Sequence, residues 1–443
     1  MTVIYHTIGI AAVLFFLLFL TASIKEKKTR AAIVSFALLT IFPVLWWALY
    51  YFFRVNPYFM YTIISITTLL VVLFFLPAGR AKVEVYPEIR ERVDERDTMF
   101  AREEYTAGTE KHKTYYTMRP EKLEIDEKIR VLPELLKPGG RYYDRLRSGY
   151  IESLFNAEEK LITFVDGPVQ ENKVPVSPQE ASLLVKDYTR HLGADEVGIA
   201  PLNPMLVYSF VGRGPEPWGS EIKNGHPFAI AFSVEMDYDR VEEAPDIGIS
   251  EETALQYLNV QKISIALAQY IRDLGYKARA HVAGSNYQVL LPPVAMDAGL
   301  GEIGRLGYLI SPRLGARLRL GAVTTTIPLV PDDPIAFGAM DFCEKCKKCA
   351  VNCPSGAIPT GARENIRGVD KWQLDIEKCF RYWRIIGTDC GLCMRVCPFS
   401  HPDSFIHNIL RTGIKQSSFA RSITVYGDDV FYGKKVDFPR YRE

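Results

Sequence analysis

The chain has 443 residues, with 53 Lys plus Arg against 52 Asp plus Glu, so its net charge is +1. That balance excludes a globally basic nucleic-acid binder and an acidic disordered tail, and a 48% apolar content is enough for a large core. All eight cysteines fall between Cys343 and Cys397, which excludes a secreted protein stapled by disulfides along its length.

The apolar residues crowd the N-terminus. No Asp, Glu, Lys or Arg occurs in 1–24, 31–53 or 55–79. A helix needs about 20 apolar residues to cross a bilayer. The segments Ile4–Ile24, Ala31–Phe53 and Tyr58–Leu76 meet that length, so 1–80 read as a three-helix membrane anchor. Tyr50, Tyr51, Tyr58 and Tyr61 gather near the interfaces. No basic region precedes the first apolar run and no twin-arginine motif is present, so anchored spans are the better reading than a cleaved leader. The first loop carries Lys25, Lys27, Lys28 and Arg30, the second only Arg54, and Arg80 and Lys82 follow the third span. The positive-inside rule predicts a multi-pass protein of the cytoplasmic membrane with its soluble part on the cytoplasmic side.

Residues 81–176 are charged and rich in Tyr. The stretch EIRERVDERDTMFAREE predicts a helix with a charged face. Phe100, Tyr115, Tyr142 and Tyr143 need burial, so this region reads as a lead-in wrapping the next domain rather than a flexible spacer.

From Ser177 helices and strands alternate. A Ser cap, an early Pro and a Gly stop predict a helix over SPQEASLLVKDYTRHLG. EVGIAPL, PFAIAFSVEMD, YKARAHV and RLGAVTTTIPL read as strands. A long amphipathic helix is predicted from a capping box at Ser250 to Gly275. The class is α+β, or α/β, with a mixed sheet. The division expected is 177–335 for a catalytic domain, 336–410 for an iron–sulfur domain and 411–443 for a tail.

Cys343, Cys346, Cys349 and Cys353 form C-x2-C-x2-C-x3-C before Pro354. Cys379, Cys390, Cys393 and Cys397 form C-x10-C-x2-C-x3-C before Pro398, and the long spacing implies a loop before Cys390. A cubane needs four converging thiolates, and in two-cluster ferredoxins the fourth Cys of each run reaches the other cluster. One cluster should then use Cys343, Cys346, Cys349 and Cys397, and the other Cys353, Cys379, Cys390 and Cys393. Zinc sites would show paired C-x2-C knuckles rather than triplets ending in Cys-Pro. Two [4Fe–4S] clusters make an electron wire that needs a sink.

Gly299, Gly301 and Gly304 match G-x-G-x-x-G, but no strand precedes them and no acidic residue stands about 20 positions on. They mark a close backbone approach and form the candidate cofactor-binding stretch. No D-x-H-x-x-G, G-x-S-x-G or P-loop occurs, which removes support for hydrolases and NTPases. The seven histidines are scattered, none at H-x3-H spacing, and each reads as structural.

AGLGEIGRLGYLISPRLGARLRL, TTTIPLVPDDPIAFGAMDFCEKCKKCAVNCPSGAI and CFRYWRIIGTDCGLCMRVCPFS together resemble the cobalamin-dependent reductive dehalogenases. ERDTMFAREE and IRDLGYKA strengthen the resemblance, which covers nearly all of 90–405. Epoxyqueuosine reductase is a more distant relative with the same cobalamin-plus-dicluster plan. The resemblance implies a nitroreductase-like cobalamin domain followed by a ferredoxin-like domain. It implies base-off cobalamin held largely by backbone, an organohalide substrate and a low-potential electron donor. It carries a proton-donor Tyr onto Tyr257, an Arg onto Arg319 and, more weakly, an Asn onto Asn286. Arg319 and the positive end of the helix would lower the pKa of Tyr257. Two other readings stay open. A tRNA-directed epoxyqueuosine-type reductase expects a basic face and C-terminal helical repeats, and the sequence offers neither, so no nucleic acid is expected. A membrane electron-transfer subunit without its own substrate would carry no corrin.

Overall fold

The structure is a computed structural model that describes residues 2–83, 89–282 and 287–438. Three helices, Thr2–Lys25, Thr29–Phe53 and Pro57–Phe75, are long and apolar enough to cross a membrane. Asn56 caps the third by accepting from the backbone N–H groups of Tyr58 and Phe59, with Pro57 at the first helical position. The first loop does not face solvent alone. Lys27 and Lys28 pair with Asp239 and Glu242 of the soluble part at 2.6 and 2.5 Å. Loop one and the soluble part therefore share one side of the anchor, and part of the loop charge that the positive-inside argument counts is used in an internal contact.

The lead-in is built from short helices. Between Glu95 and Glu103 the expected single helix is broken at Thr98, whose extended backbone separates a 3-10 turn from Met99–Glu103. Its packing is anchored by a buried ion pair, Arg102 with Asp126 at 2.5 Å. The aromatic residues Tyr105 and Tyr115 are wholly buried.

The soluble domain centres on a four-stranded sheet. Its strands are β1 (Glu196–Pro201), β2 (Phe228–Glu235), β3 (Ala278–His281) and, after a separate small pair β4 (Glu302–Ile303) and β5 (Leu309–Ile310), β6 (Leu318–Thr325). The order is β1-β2-β6-β3, and every pairing is antiparallel. This corrects the mixed sheet expected from the alternation of helices and strands, which fixes element order but not strand direction.

The two faces of β2 differ by residue size. Ala229 and Ala231 face the short helix Leu291–Asp297, with Val294 and Ala295. Ile230 and Phe232 face the long helix Gly248–Asp273, with Val260, Ile263 and Leu267. The small-residue face is close enough that a Cβ on Gly198 would lie 2.0 Å from the Ala298 carbonyl oxygen. Each fully buried Ile or Leu on the other face contributes about 1.5–3 kcal/mol.

The long helix starts before Ser250, at Gly248. Ser250 is therefore not its cap. Its hydroxyl instead accepts from the backbone N–H of Asp389 at 2.8 Å and pins the turn that precedes Cys390.

The C-terminal residues set aside as a tail fold into two helices, Phe405–Gln416 and Ser418–Tyr432. Ser417 donates to the Leu73 carbonyl at the end of the third span, and Arg421 bonds the Gly79 carbonyl. The soluble part is thereby fastened to the anchor from both ends.

Candidate active site and iron–sulfur centres

The first three cysteines sit on two short helices, Ala339–Cys346 and Lys348–Asn352, hinged at Lys347 in the left-handed region (φ 54°). The hinge turns Cys343, Cys346 and Cys349 toward one point, and Cys397 arrives from the other end of the domain. Together they line a small cavity with Arg305 and Phe399. The Arg305 guanidinium, 1% exposed, donates to the carbonyls of Cys343, Pro359 and Gly361 and locks the loop around this cavity.

The second set is assembled from Cys353, which follows the second short helix, Cys379 on the helix Ile376–Ile386, and Cys390 and Cys393 around the helix Leu392–Arg395. Most of the ten-residue spacing that implied a loop is helix. Gly387, with φ 78°, ends it.

The thiols divide electrostatically as the spacing requires. Cys349 feels Cys343, Cys397 and Cys346 before any member of the second set. Cys390 feels Cys393, Cys379 and Cys353. Burial is the largest cause of the raised thiol pKa in both sets, pushing Cys343 and Cys379 up to about 12 and Cys397 to about 11. Thiols raised in this way are unreactive until a cation takes their protons. Iron does so, and the donor set fits it.

The sheet and the long helix place the other candidates together. Arg319 on β6 lies over the ring of Tyr257 at 5.0 Å from its centroid. Its Nη2 donates to Thr253 Oγ1 at 2.8 Å, one helical turn before Tyr257. Its Nη1 lies 3.7 Å from the Met394 sulfur, between Cys393 and Cys397. Asp389, next to Cys390, is held by Thr253 and faces both Arg319 and Tyr257.

Tyr257 corrects the expected direction of its pKa. Burial raises it and Arg319 only partly offsets that. The helix dipole gives no help, because the helix begins nine residues before Tyr257 and the effect fades within the first turn.

Two residues that sequence reasoning missed complete the site. Tyr287 and Tyr308 are both held well above the usual tyrosine value by desolvation. Tyr308 nevertheless exposes 37% of its surface. Tyr308 also feels Cys393, Cys379, Arg319 and Tyr257, so this group of side chains, the candidate cleft, lies beside the second cysteine set. No motif marks these tyrosines, and only the fold brings them to Tyr257.

Asn286 lies outside the described residues. Gly299, Gly301 and Gly304 approach protein closely. A Cβ on Gly299 would meet the Asp333 carbonyl oxygen at 2.6 Å, and one on Gly301 the Ile310 carbonyl oxygen at 2.1 Å. On Gly304 it would meet the Ile310 side chain at 2.4 Å. The stretch joins the helix Leu291–Asp297 to β4 and opens no helix, so the dinucleotide reading is excluded on geometry.

Comparison with known proteins agrees with this arrangement. Residues 342–401 match the 4Fe-4S dicluster domain family. The chain is 33% identical over 320 residues to a tetrachloroethene reductive dehalogenase of Sulfurospirillum multivorans, covering 64% of this chain and 63% of that protein. The solved structure of the catabolic reductive dehalogenase NpRdhA in complex with 3-bromo-4-hydroxybenzoic acid superposes with a TM-score of 0.64 at 25% identity. That match covers 80% of this chain and 49% of the other.

The chain resembles the reductive dehalogenases in sequence and in fold.

An epoxyqueuosine reductase of Staphylococcus aureus is 34% identical over 120 residues, 24% of this chain and 28% of that protein, and is the more distant relative. The chain spans less than two thirds of the length of the reductive dehalogenases it matches, 63% of the first and 51% of the second.

Proposed function

We propose that this chain is a membrane-anchored, cobalamin-dependent reductive dehalogenase. The net reaction joins an organohalide, two electrons and one proton to give the dehalogenated carbon compound and halide. The observation that carries the reading is the contact of Arg319 with the Tyr257 ring, with Tyr308 placed between that pair and the second cysteine set.

The two cysteine sets would hold two [4Fe–4S] clusters with crossed ligation. Cys343, Cys346, Cys349 and Cys397 would bind one, and Cys353, Cys379, Cys390 and Cys393 the other. The residues around the cleft fit a corrin in kind. Tyr257, Tyr287 and Tyr308 offer flat apolar walls. Arg319 Nε is buried and has no hydrogen-bond partner among the described residues, so it has a donor left for amide or phosphate oxygens. When bound, cobalamin would supply a low-potential cobalt that breaks the carbon–halogen bond.

The chain's own residues supply the proton. Tyr257, with its pKa raised by burial, stays protonated at neutral pH. The carbon left as halide departs is far more basic than a phenolate, so the raised value does not block transfer. Arg319 over the ring stabilises the phenolate that remains. Asp389 and Thr253 hold that guanidinium in place and offset its charge. The surrounding tyrosines keep water from competing as the proton source.

The soluble part is assigned to the cytoplasmic face. The basic first loop, which shares its side of the anchor, supports this. A reporter fused to the C-terminus should be active in the cytoplasm.

The test of the function is anaerobic purification of the full chain in detergent, reconstitution with cobalamin, and assay of cobalt, iron and halide release. The proposal expects about one cobalt and about eight iron per chain, with halide released from at least one haloalkene or halophenol under a low-potential reductant. Iron without retained cobalt would leave the electron-transfer subunit as the reading.

A further inference from the structure

A second cluster of ligating side chains lies far from the cleft, where the anchor meets the iron–sulfur domain. Glu26 belongs to the loop after the first span. His401 follows the short turn after Cys397, and His407 sits in the first turn of the helix Phe405–Gln416. His401 Nδ1 lies 3.0 Å from Glu26 Oε2, and His407 Nε2 lies 2.6 Å from Glu26 Oε1. Glu26 and His407 are each 5% exposed. The three ligand atoms all lie within 4.8 Å of one another.

We propose that Glu26, His401 and His407 bind one divalent transition-metal ion of the zinc class. Two imidazole nitrogens and a carboxylate oxygen are a donor set that suits zinc. The far nitrogen of His401, Nε2, faces Asp428 Oδ1 at 3.8 Å. A carboxylate behind a ligating histidine is the arrangement that fixes its tautomer and aims its other nitrogen at a metal. In a tetrahedral zinc site the ligand atoms stand roughly 3.3 Å apart. The 2.6 and 3.0 Å separations reach that with an opening of under ~1 Å.

The neighbouring charges leave room for the ion. Asp428 is already paired with Lys348, and Arg411 faces Asp403 at 3.9 Å. Glu26 is the carboxylate left to meet the cation, which takes the place of the protons shared between Glu26 and the two imidazoles. The remaining position is open to water. The ion would staple the first loop of the anchor to the segment that carries Cys397. It uses none of the residues of the cleft and does not depend on the dehalogenase reading.

The test uses the full chain in detergent with its clusters intact. Adventitious metal is removed with EDTA, zinc chloride is added and free zinc is washed away. Elemental analysis should find about one zinc per chain beyond the iron, and X-ray absorption at the zinc edge should show nitrogen and oxygen neighbours only. His407→Gln keeps an amide donor for Glu26 but removes the ligand. It should retain both clusters and weaken zinc binding at least about 100-fold, whereas Asp428→Asn should weaken it about 10–100-fold. Glu26→Gln is an independent deletion of a ligand and should match His407→Gln. Zinc content no greater in the parent than in His407→Gln would overturn the proposal, as would sulfur neighbours at the zinc edge.

Discussion

The two cysteine sets have the same chemistry and different surroundings. Cys343, Cys346, Cys349 and Cys397 are all buried, whereas Cys353, Cys379, Cys390 and Cys393 are all only partly buried. The first set is walled by Arg305 and linked through Lys348 and Asp428 to the histidines and Glu26 at the anchor. The second lies beside Tyr308 and the cleft. The difference would give the proposed wire a direction. Under the proposed function, electrons would enter through the insulated set next to the anchor and leave through the set next to the site where chemistry is proposed.

The sharpest way to break that comparison is to remove one ligand of the second set. Cys353→Ser should cut iron from about eight to about four per chain and abolish turnover while the first cluster's EPR signal persists. Loss of the first cluster's signal instead would refute the crossed ligation. Next in size is Tyr257→Phe, which leaves both sets untouched. It should retain both clusters and any bound cobalamin yet lose roughly 10²–10⁴-fold in turnover. Near-normal turnover would reduce Tyr257 to a packed aromatic.

The cleft also carries a cost in stability that the sealed first set does not. Glu158, 2% exposed and an electrostatic neighbour of Tyr257, has neither oxygen hydrogen-bonded among the described residues. Burial pushes its pKa up to about 8. A carboxyl raised in the folded state binds more protons there than in the unfolded chain. Stability should therefore fall as pH rises from about 4.5 to about 8, then level off. Glu158→Gln should flatten that slope in melting temperature against pH, and an unchanged slope would contradict the assignment. The smallest effect belongs to the anchor contact. Lys27→Ala removes an exposed pair with Asp239, 72% and 57% accessible, and should leave the melting temperature unchanged.

What could be read in the sequence follows from how local its cause is. The three apolar spans and the helix after Ser177 depend on composition and capping within one segment, and the structure places them within a few residues of the expected bounds. The four strands were legible from β-branched runs, but their antiparallel order was not, because pairing is decided between segments up to about a hundred residues apart. Ser250 shows a local signal overridden. Its capping pattern is intact, yet the helix extends past it and the hydroxyl serves Asp389.

The sites divide the same way. Cysteine spacing is local and dense, so both sets could be written down from the chain. Tyr287 and Tyr308 have no spacing signature. Tyr257 and Arg319 were reached through family resemblance, and their contact depends on β6 crossing beneath the long helix. Glu26 and His407 are separated by 381 residues and share no motif.

The most direct test of the direction of the wire is EPR on cobalamin-loaded protein poised so that cobalt and one cluster are both paramagnetic. Cys353→Ser retains only the buried cluster, and Cys343→Ser retains only the half-buried one. The account predicts that the cobalt signal is broadened by spin coupling in Cys343→Ser and narrow in Cys353→Ser. Broadening in Cys353→Ser alone would place the buried cluster beside the cobalt and reverse the wire.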